Sequence, residues 1–473
     1  MRLEKTYINR HIELLRGIYD ADLHQQLDAV GRLYNRTLGP VTAINLYQPE
    51  VQDLAIYSSS CEHVPFGQLV RDATIKVGVA DTVHVPGGGK GRTMEQAFLG
   101  GLGEAAERFL AILHFGRVVD QLVFSTYRQL KSEGRRALGP TDIPLFADEQ
   151  YADPHFSYEP FREDTPLAWI EGTDLTNGEK VLAPAQLMLI YYRHARGEAH
   201  IGYPTTGGLA FHCRRRRAIL HGMYEYIERD AINLRWYRRI APPRVDLDLD
   251  AILAGSGSRS MRFTSQTFRD VGVYLNTIDV PVPVFTTIAL DVDRAERSFL
   301  GGGGAWSGRE RALTQALYEL GQSRTALKFY APSGLKNIQA TSEVEEMSDF
   351  FDAAVFYGYA ENRPRVAWYT EDRDHVAWED TPNFEAVDEE AEQEEAMGLV
   401  RSAGLTPIVF DFDGACWAGT FVTRVFIPQL TQACVPSTPY LGHPRFYAPI
   451  DTATCKDGPR TFADLNPYPV PFP

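Results

Sequence analysis

The sequence predicts an α/β protein in which mixed sheets and helices form a single large intertwined domain, preceded by a small N-terminal α/β extension. Two observations predict this fold class. Apolar residues recur at helical spacing in three long segments, and apolar runs of strand length lie between those segments. Because no long polar linker divides residues 66–473, we expect them to fold together, with residues 1–65 as the extension.

The extension combines predicted helices with one strand. Residues 11–39 have the apolar pattern of one or two amphipathic helices that end at Gly39-Pro40. Residues 41–48 have the alternation of a strand. Residues 57–66 are polar and contain a cysteine, which indicates a loop.

A glycine run follows the extension. Residues 74–85 alternate as a strand does, and the run at 87–91 then precedes a helix that begins near Thr93. In this order of strand, glycines and helix, backbone N–H groups and Lys90 can face an anion. The spacing is not that of the P-loop GxxxxGK[ST], so the run by itself also fits a loop with a solvated lysine.

The rest of the chain alternates predicted strands and helices. The predicted strands are residues 118–124, 167–170, 179–182, 273–277, 282–290 and two within 407–430. Residues 184–192 predict a strand or a short helix, and residues 341–358 and 385–402 predict helices. The last helix has a strongly acidic face, which we expect to be solvated, an interaction surface being the alternative.

Composition limits the classes of function. A net charge of -15 over 473 residues argues against nucleic-acid binding and favours a cationic peptide or a neutral ligand. No run of about eighteen apolar residues predicts a membrane span. The five cysteines are scattered and lack CxxC spacing, so we expect reduced thiols in a cytoplasmic protein without structural zinc.

Three helical segments near glycine runs carry clustered acidic and basic side chains. They lie within residues 98–113, 207–236 and 311–324. The clustered residues are Glu104, Glu107 and Arg108 in the first segment, Glu225, Glu228 and Arg229 in the second, and Glu319, Gln322 and Arg324 in the third. Three such segments beside predicted glycine turns indicate one composite site.

Paired carboxylates on facing helices need cations between them. Mg²⁺, which is usually shared with phosphates, is the natural cation for oxygen ligands. An ordinary surface ion pair is the alternative for each motif alone, although the apolar surroundings of Glu104 and Glu107 predict that these acids are buried. His212 and His221 are candidate bases or structural histidines, and Arg214–Arg217 is an anion-binding patch or a solvated helix start.

These motifs resemble those of the YcaO superfamily, ATP-dependent enzymes that modify peptide backbones. Residues 100–108 resemble the family motif Ser-x3-Glu-x2-Glu-Arg, with GGGKG upstream as its Gly-Lys-Gly. Residues 222–230 resemble the end of the second motif, Gly-Leu-x-Glu-x2-Glu-Arg-Asp, and residues 311–324 resemble the third. Residues 469–473 are similar to the Pro-x-Pro-x-Pro tail with which azoline-forming members deliver a C-terminal carboxylate to the active site.

The resemblance implies a YcaO-type domain over residues 66–473, with ATP and Mg²⁺ as cofactors. It assigns Mg²⁺ to Glu104, Glu107, Glu225 and Glu228. It assigns the nucleotide to Lys90, Arg108, Arg229, Glu319, Gln322 and Arg324, and a catalytic carboxylate to Pro473. Four positions depart from the family pattern: Gly100 and Arg214 stand for serines, Arg217 for a glutamate and Arg311 for a glutamine. We hypothesise that Arg217 replaces a magnesium ion near the phosphates.

The activity that the resemblance implies is cyclodehydration. Cys, Ser or Thr of a ribosomally synthesised precursor peptide would become thiazoline or oxazoline through phosphorylation of the amide oxygen. Expected partners are the precursor peptide, a second copy of the chain in a homodimer, and a separate leader-binding protein, E1-like or ThiF-like, because residues 1–65 are too short for such a domain. The alternatives are thioamide or amidine formation, a scaffold subunit with a decayed ATP site, and an unrelated magnesium-dependent ligase.

Overall fold

The computed structural model describes residues 31, 33–36, 39–50, 53–63, 87–190, 192–249, 271–293, 297–333, 337–371, 374–384, 386–412 and 419–472. Within these ranges no helix is long and apolar enough to cross a membrane. The predicted strand at residues 74–85 and most of the predicted helical region at 11–39 lie outside the described residues.

Three long helices dominate the helical part of the fold. The described helices are α1 (Met94–Val118), α2 (Tyr127–Ser132), α3 (Asp148–Tyr151), α4 (Ala185–Met188), α5 (Arg215–Tyr237), α6 (Arg309–Ser333), α7 (Phe350–Gly358), α8 (Pro364–Thr370) and α9 (Glu389–Ser402). The long helices α1, α5 and α6 are the three motif-bearing segments, as the apolar periodicity predicts.

The strands of the described residues form four sheets. The strands are β1 (Val41–Tyr47), β2 (Tyr57–His63), β3 (Gly87–Gly91), β4 (Val123–Ser125), β5 (Leu167–Asp174), β6 (Lys180–Pro184), β7 (Leu209–His212), β8 (Arg244–Asp246), β9 (Val271–Leu275), β10 (Val284–Asp293), β11 (Arg297–Ala305), β12 (His375–Ala377), β13 (Ile408–Asp411), β14 (Phe421–Phe426), β15 (Ile450–Asp451) and β16 (Lys456–Asp457). Their orders are β1-β2-β3, β11-β10-β9-β8-β12 and β4-β5-β13-β14-β7, with β6 paired to β5, and a separate β15-β16 pair. The fold class is therefore the predicted mixed α/β arrangement.

Each long helix directly follows a strand. Strand β3 leads into α1, β7 into α5 and β11 into α6, with short connections. Helix α1 packs on β3, α6 packs on β11, and α5 packs on β7 and β14. Glycines permit this close approach, because a Cβ at Gly89 would collide with the Ala97 carbonyl oxygen and a Cβ at Gly304 with that of Ala312.

The glycine runs differ from the sequence prediction. The runs at 87–91 and 301–304 form strands rather than turns, because their backbones complete ladders with β2 and β10. Only the pair Gly207-Gly208 forms a turn of the predicted kind, with Gly208 at a φ of 76°. Glycine is compatible with both states, so the pairing partner decides between them.

Other predicted elements are confirmed with shifted bounds. Strands occur at the predicted positions near residues 41, 167, 180, 273, 284, 408 and 421. Residues 57–63 form the central strand β2, so the predicted loop there is wrong. Helix α7 begins at Phe350 rather than at 341, and α1 extends through Val118, which shortens the predicted strand at 118–124 to β4.

The N-terminal sheet crosses the predicted domain boundary. Strands β1 and β2 precede residue 65, whereas β3 follows it, and the three strands form one sheet that packs on α1. A division at residue 65 into an extension and a main domain stays a prediction. For the site, the relevant consequence is that β3 is held on one side by β2.

Candidate active site

The same contact occurs in all three strand–helix units. In each unit the first acidic residue of the helix motif accepts a hydrogen bond from a glycine N–H located 16 or 17 residues earlier. The three bonds are Gly88 N to Glu104 Oε2 at 2.9 Å, Gly208 N to Glu225 Oε2 at 3.1 Å and Gly303 N to Glu319 Oε2 at 3.2 Å. The strand therefore fixes the direction of the first carboxylate in every unit.

Sequence reasoning did not anticipate these anchors. The predicted role of the glycines was to form turns that face an anion, whereas the N–H groups bind the protein's own carboxylates. A repeated distance of 16 or 17 residues between a glycine and the first glutamate was the available signal. We use the term anchored glutamates for Glu104, Glu225 and Glu319.

Contacts between the units bring the three helices to one place. Lys90 on β3 donates a hydrogen bond of 2.5 Å from its Nζ to Glu319 Oε1 on α6. A Cβ added to Gly88 would lie 2.5 Å from Gln322 Nε2, and one added to Gly303 would lie 2.8 Å from Glu228 Oε1. Unit one thus touches unit three, and unit three touches unit two, as the sequence-based composite site requires.

The first unit contains two acids and one cation. Arg108 NH2 lies 3.1 Å from Glu104 Oε1, and Arg108 NH1 lies 3.0 Å from Glu107 Oε1. Burial raises the pKa of Glu107 to about 8; the charge of Arg108 opposes this rise, while Glu104 and Glu225 add to it. One guanidinium therefore does not compensate the acids that surround it.

The second unit has the same imbalance. Burial raises the pKa of Glu228, and the negative charges of Glu319 and Glu225 raise it further against the opposing charge of Arg229. The pKa of Glu225 is also raised, again mainly by burial. Arg229 Nε is buried, and no hydrogen-bond acceptor reaches it within the described part of the chain. The centre between the units combines buried acids with an unfilled donor.

Comparison with known proteins identifies the family. The model of the family described as YcaO cyclodehydratase, ATP- and Mg²⁺-binding, matches residues 88–431. The chain belongs to the YcaO family. It is 26% identical over 352 residues to an uncharacterized protein of Methanothermobacter thermautotrophicus, covering 72% of this chain and 80% of that protein. It is 27% identical over 173 residues to an uncharacterized protein in the tfuA 3' region of Rhizobium leguminosarum bv. trifolii, covering 34% and 39%.

Solved structures share the YcaO fold. A heterocyclase in complex with substrate and cofactor aligns at a TM-score of 0.74 and 22% identity, covering 96% of this chain and 57% of its own. YcaO from Methanopyrus kandleri bound with AMPPCP and Mg²⁺ aligns at 0.56 and 19% identity, covering 90% and 91%. A chain of the E. coli microcin synthetase McbBCD complex aligns at 0.59 and 14% identity, covering 93% and 99%. This YcaO chain thus spans 57% of the heterocyclase chain.

ATP and Mg²⁺ are the cofactors of this YcaO protein, and the residues fit them. Burial raises the pKa of Glu107 and of Glu228, and neighbouring carboxylates raise both further, so a bound cation would stabilise the ionised acids. No group of three acidic, histidine or cysteine side chains within the described ranges is close enough to hold one metal ion by itself. Mg²⁺ commonly takes one or two carboxylates together with phosphate oxygens and water, which agrees with acids spread over separate helices.

Two assigned nucleotide residues differ in their surroundings. Arg229 lies among the site acids Glu225, Glu228 and Glu319, whose charges raise its pKa. Arg324 is buried, and its Nε lies 3.3 Å from Oδ1 of Asp53, which also binds Lys328 Nζ at 2.5 Å. The structure thus joins Arg324 to the segment between β1 and β2, and a nucleotide contact by this residue stays a prediction.

The basic patch Arg214–Arg217 at the start of α5 contacts acidic residues of α9 as well as solvent. Arg217 Nε lies 3.1 Å from Glu389 Oε2, and Arg217 NH1 lies 2.5 Å from Glu392 Oε2. Arg214 NH2 lies 3.1 Å from Glu389 Oε2. The predicted solvated face of α9 is therefore wrong for Glu389 and Glu392, because arginines distant in sequence neutralise them. His212 Nδ1 accepts a hydrogen bond of 2.9 Å from the Arg214 N–H, and the choice between a base and a structural histidine stays open.

The C-terminal tail enters the core beside β11. Trp236 Nε1 and Tyr357 OH donate hydrogen bonds of 2.7 Å to the carbonyl oxygens of Tyr468 and Pro469. The Phe472 ring is 2% exposed, and a Cβ at Gly301 would lie 2.6 Å from it. Pro473 lies outside the described residues, so its catalytic role stays a prediction. Phe472, the last described residue, nevertheless contacts β11 at Gly301, two residues before Gly303, whose N–H anchors Glu319.

Proposed function

We propose that this YcaO protein catalyses the ATP-dependent cyclodehydration of Cys, Ser or Thr in a ribosomally synthesised precursor peptide. The side chain attacks the preceding amide carbonyl, and the resulting oxyanion takes the γ-phosphoryl group of ATP. Loss of phosphate then leaves thiazoline or oxazoline, with ADP as the second product. The oxygen that leaves the peptide departs as part of the phosphate, so the overall peptide change is the loss of water.

The observation that carries the proposal is the meeting of three strand–helix units whose partly buried acids lie close enough to raise one another's pKa values. Such a centre fits a phosphoryl-transfer enzyme, in which positioned ligands and Mg²⁺ stabilise the transferred charge. The likeness to the heterocyclase and to a microcin synthetase chain supports a heterocycle as the product.

The chain's own residues would position the reactants. Glu104, Glu107, Glu225 and Glu228 would hold Mg²⁺, which supplies charge neutralisation on the phosphates when bound. Arg229, with its buried Nε available, would donate to a phosphate oxygen. Lys90 and Glu319 would orient one another beside the nucleotide, because their ion pair already joins the first and third strand–helix units. Arg108, Gln322 and Arg324 complete the proposed nucleotide set.

The tail would contribute the terminal carboxylate of Pro473 as a base or as a group that positions the peptide amide. Its support is the buried Phe472 ring beside β11 together with two hydrogen bonds to the preceding carbonyls. A polyproline segment suits this task because it is extended without a sheet partner.

A separate leader-binding protein, E1-like or ThiF-like, is part of the proposal. Its support is that the microcin synthetase relative is a member of a complex. We also propose a homodimer and a cytoplasmic location. The free thiols Cys61, Cys213, Cys434 and Cys455 support a reducing compartment.

The test begins with calorimetric titration of the chain with ATP and Mg²⁺, beside Glu228→Gln and the exposed control Glu163→Gln. Binding by the wild type and the control but not by Glu228→Gln is expected. The precursor peptide is then incubated with the chain, ATP and the leader-binding partner, and its mass is measured. Loss of water with release of ADP supports azoline formation. Exchange of oxygen for sulfur would favour thioamide formation, and release of AMP would favour an unrelated ligase.

A further inference from the structure

Helices α5 and α6 present matching faces to the site. On α6, Gln315, Glu319 and Gln322 follow Arg311 by four, eight and eleven residues; on α5, His221, Glu225 and Glu228 follow Arg217 at the same intervals. Side chains at these intervals lie on one side of a helix. Arg217 and Arg311 therefore occupy equivalent positions, one on each helix, at the N-terminal end of the face that carries the site acids.

The two arginines have different partners. Arg217 is bound by both Glu389 and Glu392 of α9. Glu392 in turn accepts hydrogen bonds from Tyr224 OH at 3.0 Å and Ser307 Oγ at 2.9 Å. The positive charge of Arg217 is therefore already used inside the protein, and the earlier hypothesis that it replaces a magnesium ion loses its physical basis.

Arg311 keeps its charge available. Its guanidinium lies 3.9 Å from the centre of the Trp306 ring, which fixes the side chain by a cation–π contact. No carboxylate oxygen of the residues that the structure describes forms an ion pair with it. The residue is exposed; desolvation by the surrounding protein and the neighbouring charge of Arg217 lower its pKa, and the charge of Glu392 opposes this without forming an ion pair. Arg311 is therefore a solvent-accessible cation held beside Trp306 without an ion-pair partner among the described residues.

A second cation, Lys90, lies near the same part of the site as Arg311, beside His221. Desolvation by the surrounding protein lowers the pKa of His221 to about 4, although the residue is exposed, and the charges of Arg311 and Lys90 lower it further. Lys90 also binds the anchored Glu319. Arg311 and Lys90 thus approach one imidazole from two different units, and the acids of α5 and α6 lie directly beyond it along both helices.

We propose that Arg311 binds the phosphate chain of ATP from the N-terminal end of the α6 face that carries Glu319. This proposal rests on the ATP site described above and adds a positive charge that the YcaO motif lacks, since its glutamine at this position is neutral. A guanidinium held on an indole presents its donors in a fixed fork, which suits phosphate oxygens. Its charge performs part of the neutralisation that otherwise requires Mg²⁺.

The experiment measures ATP affinity by calorimetry over a series of Mg²⁺ concentrations. It compares the wild type with Arg311→Gln, which restores the family residue, with Arg311→Lys, and with the matched control Arg128→Gln, whose ion pair with Glu163 is exposed. Sodium tripolyphosphate serves as a competitor that lacks the nucleoside. We expect Arg311→Gln to weaken both ATP and tripolyphosphate roughly ten- to hundredfold, most strongly at low Mg²⁺, and Arg311→Lys to restore part of this loss.

Equal affinities of Arg311→Gln and Arg128→Gln at every Mg²⁺ concentration would overturn the proposal and leave the ATP site intact. Failure of the wild type to bind ATP would overturn both. Melting curves without nucleotide detect a folding defect. If Arg311→Gln has a lower melting temperature than the wild type, the Arg311→Lys variant is used instead. If that variant is folded and binds tripolyphosphate no more tightly than Arg311→Gln does, the proposed contact is also refuted.

Discussion

Neutralising Glu107 should make the ligand-free protein more stable at alkaline pH. Its pKa lies at about 8 instead of 4.5, so the buried site disfavours the ionised form. A displacement of this size corresponds to roughly 5 kcal/mol. The side chain is 14% exposed and lies beside Arg108, so screening reduces the effect. We expect the free energy of unfolding of Glu107→Gln to exceed that of the wild type by about 2 kcal/mol at high pH.

The sign follows from proton binding. Between pH 4.5 and about 8 the unfolded chain releases the Glu107 proton while the folded chain keeps it. The folded state then holds more protons, so the free energy of unfolding falls as pH rises through this window and levels off above it. The glutamine variant lacks this decrease. Relative to the wild type it should therefore gain stability from pH 5 to pH 8.5.

The assay is thermal unfolding without nucleotide at both pH values, with Glu163→Gln as an exposed control. The melting temperature of Glu107→Gln relative to the wild type should rise by a few degrees between the two pH values, and the control should not change. ATP with Mg²⁺ should stabilise the wild type but not Glu107→Gln. A difference in melting temperature that is independent of pH would refute the assigned environment of Glu107.

Three other substitutions test the packing around the site. Gly208→Ala should lower the melting temperature and the ATP affinity, because the new Cβ collides with the Val425 carbonyl of β14 and displaces the N–H that anchors Glu225. Gly178→Ala is the control for backbone strain alone, because Gly178 has a φ of 78° and open space around it. Arg217→Glu should destabilise the protein by about 3–5 kcal/mol in thermal or denaturant unfolding, since it removes the cation paired with the buried Glu392 and puts a third carboxylate beside Glu389 and Glu392. Unchanged stability would contradict this role. Phe472→Ala should lower the free energy of unfolding by about 3–5 kcal/mol. It should also slow peptide conversion more than it weakens ATP binding in calorimetry. Equal losses of conversion rate and ATP affinity would argue against a role for the tail in positioning the peptide.

The sequence predicted the helices of the site well because their information is local. Periodic apolar residues define α1, α5 and α6, and the acids on their faces then meet as expected, as the Lys90–Glu319 pair shows. Apolar runs likewise predicted β5, β10 and β13. In these elements a residue's own neighbours in sequence determine which side is buried.

Other features depend on partners far away in sequence and could not be predicted. The polar strand β2 forms because β1 and β3 supply its hydrogen bonds, although its own sequence resembles a loop. Glu392 on the acidic face of α9 is buried because it pairs with Arg217, which lies 175 residues earlier. Glycines that anchor carboxylates carry no side chain to indicate a role. Long-range pairing of charges and backbones therefore accounts for most of the differences.

The joining of three distant units has a consequence for folding kinetics. Lys90 and Glu319 are separated by 229 residues, and β5 pairs with β13, whose residues follow it by more than 200 positions. Such high contact order implies slow folding, because long loops must close before these contacts form. The ion pair between units can form only after both ends of this span are in place. Recovery of ATP binding during refolding should therefore lag behind the recovery of helical circular dichroism.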